Sequence, residues 1–542
     1  MGKDMKKNIK SNSILVAAAI AIVVMSLPVS CTKNFFEYNT NPDEATDEML
    51  EHDNFKVGAF IPQLQQMVIP CAKPNPFQVA QNLTGDNYSG YMCGIGVFNG
   101  GKNGLTGAFA VDSWLDLPFT AVFASAMSAD RSIRKNFDGD MSNHVVALAT
   151  IIKIAAVHRF ADAQGPLPYS KMSEGGSLQI EYDSEESLYR SFFKELTSAI
   201  DVLTAYVLQN SGSKPMSEYD LVYGGDYVSW IKFANSLKLR LAMRVRFVEP
   251  ELAKQMAEEA VNHQYGVILS NSDNATLKSG HGIEIKNQLY VMWNTYADCR
   301  MGAVMQSYLT GYDDPRLPVY FQQATISGKT GYFGGRTGVA ITSKQSWQSL
   351  SSPNVHVSDP ITWFNAAESY FLIAEGALAG WNMGMTAQEA YEEGIRKSFE
   401  ERGVDGASTY IANSTAKPAD YTRPFIASPS SVAMSDITIQ WDESGTDEKK
   451  LERIITQKWI AIFPNGNEAW AEYRRTGYPK QFPMVNNNSN NTIDSKLGPR
   501  RLPFPPTEYR LNGENVAKAV QLLSTPEDNG GTRLWWDVKT YN

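Results

Sequence analysis

Residues 363–402, WFNAAESYFLIAEGALAGWNMGMTAQEAYEEGIRKSFEER, read as two helices joined by a glycine-containing turn. In the first, Ala366, Ala367, Tyr370, Ala374 and Ala377 recur at helical spacing and make a narrow face of small residues with one aromatic knob. In the second, Ala387, Tyr391 and Gly394 repeat the small–aromatic–small spacing, and Thr386 is placed to cap its start. Small residues let two helices approach closely while the ring fills the groove between them. That is the logic of a tetratricopeptide-like hairpin, which buries its face only by stacking on neighbours. The connection is longer than the standard repeat, so the unit is degenerate.

Outward from this hairpin the same periodicity returns. It predicts helices over 114–134, 144–162, 185–208, 230–248 and 251–263, the last with Ala253, Ala257 and Ala260 at repeat spacing. After the hairpin, residues 448–479 read as a long helix broken near Pro464. Trp459, Trp470 and Tyr473 fall on its inner face, and Arg474 and Arg475 are expected to cap it and satisfy buried carbonyls. Residues 500–512, RRLPFPPTEYRLN, are too proline-rich for a helix or central strand. A helix through Gln66 is expected to start at Asp43 or Thr46.

Three stretches break the pattern. Residues 71–112 carry Gly, Asn, Tyr and Phe with no helical period and read as a long exposed loop; 264–360 is a second irregular region, and 404–447 a polar insertion. The fold class is therefore mostly α: a tetratricopeptide-like scaffold of helix pairs with large irregular insertions forming the ligand side.

The first residues carry Lys3, Lys6, Lys7 and Lys10, then an uncharged apolar run over 14–27 and the sequence Pro28-Val29-Ser30-Cys31. A basic region, a short apolar core and a small residue before cysteine predict a lipoprotein signal peptide over 1–30, with Cys31 the lipidated first residue of a mature 31–542 domain. Leu27 lies one place further from the cysteine than the usual lipobox leucine. The apolar run is short of the ~20 residues a spanning helix needs. The chain is thus expected to be tethered to a membrane.

A net charge of −9 argues against a nucleic-acid partner. After Cys31 only Cys71, Cys93 and Cys299 remain, which permit at most one disulfide and show no metal spacing. Six histidines lie scattered without metal or triad spacing, so His158 reads as packed or capping. A penicillin-binding set, Ser211–Lys214, Ser272–Asn274 and Lys329–Gly331, occurs in the correct order. Its serine, however, must share a helix face with the lysine, and Gly212 and Pro215 oppose a helix there; the K-T-G lies in what reads as a glycine loop.

QGPLPYSKM, WIKFANSLKLRLAMRV, AESYFLIAEGAL, ITQKWIAIFPNGNEAWAEYRRTGYP and RRLPFPPTEYRLN, in this order behind a lipoprotein signal, resemble the SusD/RagB family, specifically its second branch, over essentially all of 31–542. The resemblance implies a surface-exposed, lipid-anchored outer-membrane protein of Bacteroidota without catalytic activity. It implies capture of oligosaccharides, or in some members peptides, as the lid of a SusC-like, TonB-dependent transporter barrel. No cofactor is implied; a structural calcium among the loop carboxylates has no EF-hand spacing to support it.

A sugar binder needs exposed flat rings for C–H faces, and Asp, Asn or Arg for the hydroxyl rim. The first insertion offers Asp86, Asn87, Tyr88 and Tyr91. The second offers Tyr290, Trp293, Tyr296, Asp298, Arg300, Tyr332, Arg336 and Trp347, with Trp293 and Tyr296 the leading pair. Such shallow stacking predicts affinities of order micromolar to millimolar, ~4 to 8 kcal/mol.

Overall fold

The structure, a computed structural model, describes residues 55–98, 112–173, 179–424 and 429–540. The signal peptide, Cys31 and the Asp43 and Thr46 caps lie outside the described residues.

Among the described residues, the scaffold is built from ten principal helices. These are α1 (Phe60–Val68), α2 (Ala124–Lys135), α3 (His144–Gln164), α4 (Glu185–Gln209), α5 (Tyr227–Val245), α6 (Pro250–Val261), α7 (Ala366–Leu378), α8 (Ala387–Arg402), α9 (Asp447–Ala461) and α10 (Gly466–Thr476). Successive helices pair as α3/α4, α5/α6 and α7/α8, and α5 and α7 join the pairs into one stack. The starts are set locally. Asn143, Ser184, Asp226 and Thr446 each accept a backbone N–H in the first turn of their helix. Thr386 and Glu389 form a full capping box at α8, and Gly403 ends that helix in the left-handed region at φ 63°.

The hairpin packs as its small residues require. A Cβ on Gly394 would lie 2.9 Å from the Phe371 ring, so glycine sets how closely α8 approaches α7. The long connection folds back on the pair: Trp381 N donates to Gly376 O at 3.0 Å and Met383 is buried. Helix α3 is apolar and long enough to cross a membrane, yet it is surrounded by protein, as a central core helix is.

The core contains a buried ionic layer that local periodicity does not reveal. Arg240 on α5 grips Glu368 on α7 with both ends of its guanidinium, at 2.8 and 2.7 Å. Arg244, one turn on, bonds Glu472 at 2.6 Å and Glu468 at 2.7 Å on α10. Lys458 on α9 lies 3.4–3.5 Å from Glu368, Glu468 and Glu472. In the expected cap pair, Arg474 does satisfy buried carbonyls, donating to Asp162 O at 2.6 Å and Arg500 O at 2.8 Å. Arg475 does not: it pairs with Glu375 and Glu472, because both carboxylates point to the same interior layer.

Other expectations are corrected. Residues 71–98 are not an exposed loop: they form a short helix (Pro74–Phe77), a π-helix (Gln78–Asp86) and a strand, and most of their side chains are buried. The proline-rich tail does hold a helix, Pro506–Leu511, because a proline costs nothing in the first turn. The K-T-G stretch is an exposed strand (Lys329–Gly331) paired with Ala324–Ile326, not a loop. Ser211 and Lys214 still lie outside any helix. Trp459, Trp470 and Tyr473 are core. Cys71, Cys93 and Cys299 are buried free thiols.

Candidate ligand-binding site

The first and second insertions meet. Strand β1 (Met92–Gly94) pairs antiparallel with β2 (Cys299–Met301), placing Cys93 opposite Arg300 and Gly94 opposite Cys299. A π-helical segment precedes each strand, Gln78–Asp86 before β1 and Val291–Thr295 before β2. Such widened turns recur at functional sites because they re-aim side chains out of helical register.

Four of the singled-out residues come together here, all half-buried: Tyr290, Trp293, Tyr296 and Asp298. Trp293 donates its indole N–H to Val355 O at 2.9 Å and meets Tyr290 edge-on, ring centroids 5.5 Å apart. Ala297 sits at φ 51°, a turn that separates the directions of Tyr296 and Asp298. The Tyr296 hydroxyl donates to Asn75 Oδ1 at 3.3 Å. Asp298 accepts from Gln78 Nε2 and Lys344 Nζ, each at 2.7 Å. Asn75, Gln78 and Lys344 thus belong to this surface, and sequence reading missed them because no local pattern marks a polar residue whose partner lies 46 to 221 positions away.

Arg300 holds the platform from beneath. Its guanidinium donates to Trp293 O at 3.0 Å, Cys299 O at 2.7 Å and Gln348 O at 3.0 Å, so it fixes the turn and is spent on carbonyls. Beside the platform lies a cavity of about 210 Å³ lined by Phe77, Asn287, Val355 and Arg402.

The other expected contacts are packing. Asp86, Asn87, Tyr88 and Tyr91 are buried. Asp86 accepts from Gln81 Nε2 at 2.8 Å, Asn82 Nδ2 at 3.0 Å and the Gly466 amide that opens α10. Burial pushes its carboxyl up to about 7, against these hydrogen bonds and Arg159. Asn87 donates to Asn82 O at 2.6 Å, Tyr88 packs on Trp470, and Tyr91 stacks on Trp459, donating to its carbonyl. Their polar, glycine-rich composition resembles a surface loop, but the polar groups of Asp86, Asn87 and Tyr91 bond inside the protein. Trp347 is buried beside Cys93 and Ile95. Arg336 is buried and donates to Pro483 O at 2.6 Å. Tyr332 is half-buried just beyond the Lys329–Gly331 strand.

Among the described residues, one group has metal-ligand proximity: His158, Asp162 and Glu468, with candidate atoms within 4.8 Å of one another. It does not suit a cation. Glu468 already faces Arg240, Arg244 and Lys458, and burial with Arg240 and Arg159 pushes the His158 imidazole down to about 3. The group is part of the ionic layer.

A family model for SusD-like proteins, the SusD and RagB outer membrane lipoproteins, matches residues 37–537. The chain belongs to the SusD-like family. Similar solved structures agree over nearly their whole length. A chitin-binding SusD homolog from Flavobacterium johnsoniae shares 39% identity with a TM-score of 0.85, covering 89% of this chain and 99% of its own. A SusD homolog from Bacteroides thetaiotaomicron shares 36% with a TM-score of 0.82, covering 90% and 99%. A third, from Bacteroides uniformis, shares 39% with a TM-score of 0.79, covering 90% and 100%. No curated protein matches. This SusD-like protein is thus an outer membrane lipoprotein built on tetratricopeptide-type helix pairs.

Proposed function

We propose that this SusD-like protein captures oligosaccharides at the cell surface, without cleaving them, and passes them as a lid to a SusC-like, TonB-dependent barrel. The observation that carries the reading is the platform of Trp293, Tyr290 and Tyr296 bordered by Asp298 and Lys344. It offers ring surface for the apolar C–H face of a sugar and a charged rim for its hydroxyls. The platform rests on an anchored turn, so little ordering is required on binding. A chitin-binding homolog of the same fold at 39% identity makes oligomers of N-acetylglucosamine the first ligands to try.

The test is isothermal titration of the mature protein with chitin, starch and cellulose oligosaccharides and with peptides, together with product analysis. Heat on titration with one glycan series, with no shorter products, supports capture. Binding of peptides alone, or release of shorter sugars, overturns it.

A further inference from the structure

The polar edge of the platform has a fixed sense of donation. Gln78 gives its amide N–H to Asp298 Oδ2 at 2.7 Å, and a carboxylate only accepts, so this bond decides which end of the Gln78 amide turns inward. The other end, Oε1, has no hydrogen-bond partner among the described residues, and on this half-buried side chain it stays open to solvent. Asn75 is oriented in the opposite sense. Its Oδ1 accepts the Tyr296 hydroxyl at 3.3 Å, which leaves the Nδ2 amino group of an exposed side chain to donate outward.

Asn75 and Gln78 stand three positions apart where the short helix Pro74–Phe77 runs into the π-helical segment, so their side chains share a face. Both are held by the same turn, one by Tyr296 and the other by Asp298. Beside the Tyr296 ring the surface thus offers one group that only donates and one that only accepts. Little net charge accompanies them, because Lys344 Nζ lies 2.7 Å from Asp298 Oδ1.

That pattern is the complement of a secondary amide, whose carbonyl accepts and whose N–H donates. On a sugar ring the substituent with this pattern is the acetamido group. A hydroxyl turns to suit either partner and gains no preference. An ammonium would set a donor against Asn75, and a carboxylate would set an acceptor against Gln78; a polar group left without its partner costs binding. We infer that Asn75 and Gln78 determine the specificity of the platform and select saccharides that bear acetamido groups. Asn75 Nδ2 donates to the acetamido carbonyl and Gln78 Oε1 accepts its N–H. The inference rests on the reading of the platform as a saccharide site and names the class of sugar it takes.

Isothermal titration of the mature protein with three β-1,4-linked trimers that differ only at C2 tests it. These are chitotriose with acetamido groups, cellotriose with hydroxyls, and the fully deacetylated chitosan trimer with ammonium groups in mildly acidic buffer. Maltotriose and an acetylated alanine tripeptide are titrated for comparison. Asn75→Asp is the informative variant, because a carboxylate still accepts the Tyr296 hydroxyl but cannot donate. Gln78→Met removes the acceptor at similar length. The expected result is chitotriose binding about tenfold tighter than cellotriose, with the deacetylated trimer weakest. That preference should fall to about twofold or less in each variant, with the melting temperature of Asn75→Asp unchanged. Equal binding of chitotriose and cellotriose, tighter binding of the deacetylated trimer, or a preference that survives either substitution overturns this assignment while the platform stands. Binding of maltotriose alone does the same. Binding of the tripeptide alone, or of none of these ligands, overturns the platform as well.

Discussion

Arg475 on α10 and Glu375 on α7 meet side-on in the protein interior, with an Nη2–Oε2 distance of 2.7 Å and neither side chain reaching solvent. The pair ties the organising hairpin to the helix that closes the scaffold. Arg246 joins it at 2.8 Å from α5's end, and Glu472 completes the guanidinium's partners. Removing one partner leaves a buried charge, so Glu375→Gln or Arg475→Met should cost roughly 3–5 kcal/mol. Chemical denaturation checks it. The double variant should recover part of the loss, since the two fully buried charges go together and only the partly exposed Arg246 loses its partner, while Glu472 keeps Arg244 and Lys458.

The same carboxylate sets an acid limit. Burial alone would raise the Glu375 carboxyl, but Arg475 and Arg246 outweigh it and hold it down at about 2. Its folded pKa lies below the unfolded value, so it stabilises the protein above about 4.5 and loses that contribution as pH falls toward 2. Thermal melts between pH 6 and pH 3 should show a falling melting temperature, with a shallower slope in the Glu375→Gln, Arg475→Met double variant.

Glu185 acts in the opposite sense. It opens α4 and accepts the Trp535 amide at 2.7 Å, and burial pushes its carboxyl up to about 8 despite that bond. A raised carboxyl stabilises the fold fully below about 4.5, and that contribution is lost as pH rises through about 8. Glu185→Gln should therefore flatten the decline in melting temperature between pH 5 and pH 8, and a slope unaltered by the variant would contradict the assignment.

Gly466 has no room for a side chain. A Cβ there would lie 2.2 Å from Asp86 Oδ1 and 2.5 Å from its backbone nitrogen. Gly466→Ala should push the π-helical segment off α10 and cost at least about 1–3 kcal/mol, read as a lowered denaturation midpoint.

At the platform, Tyr296→Ala should weaken glycan binding about tenfold or more, ~1.4 kcal/mol, with little change in melting temperature. Trp293→Ala should weaken it at least as much but also lower stability, because the indole is half-buried and bonded to Val355 O. Titration beside a melt of each variant separates the two roles.

The sequence by itself determined the helix pairs. Thr386 with Glu389, Asn143 and Asp226 act within one turn of where they stand, and the spacing of Ala366, Tyr370 and Gly394 already describes the faces that pack. These signals are legible because caps and helical period act over a few residues. Only the tertiary structure decided which polar groups would be interior. Arg240 and Glu368 stand 128 residues apart, and nothing local to either distinguishes it from a solvated charge. Asp86, Tyr88 and Tyr91 have the composition of a surface loop, yet α9 and α10 cover them, while Tyr296 stays half-exposed beside a single left-handed residue, Ala297. Burial follows from which distant segment packs on a residue, and a periodic pattern carries no record of that partner.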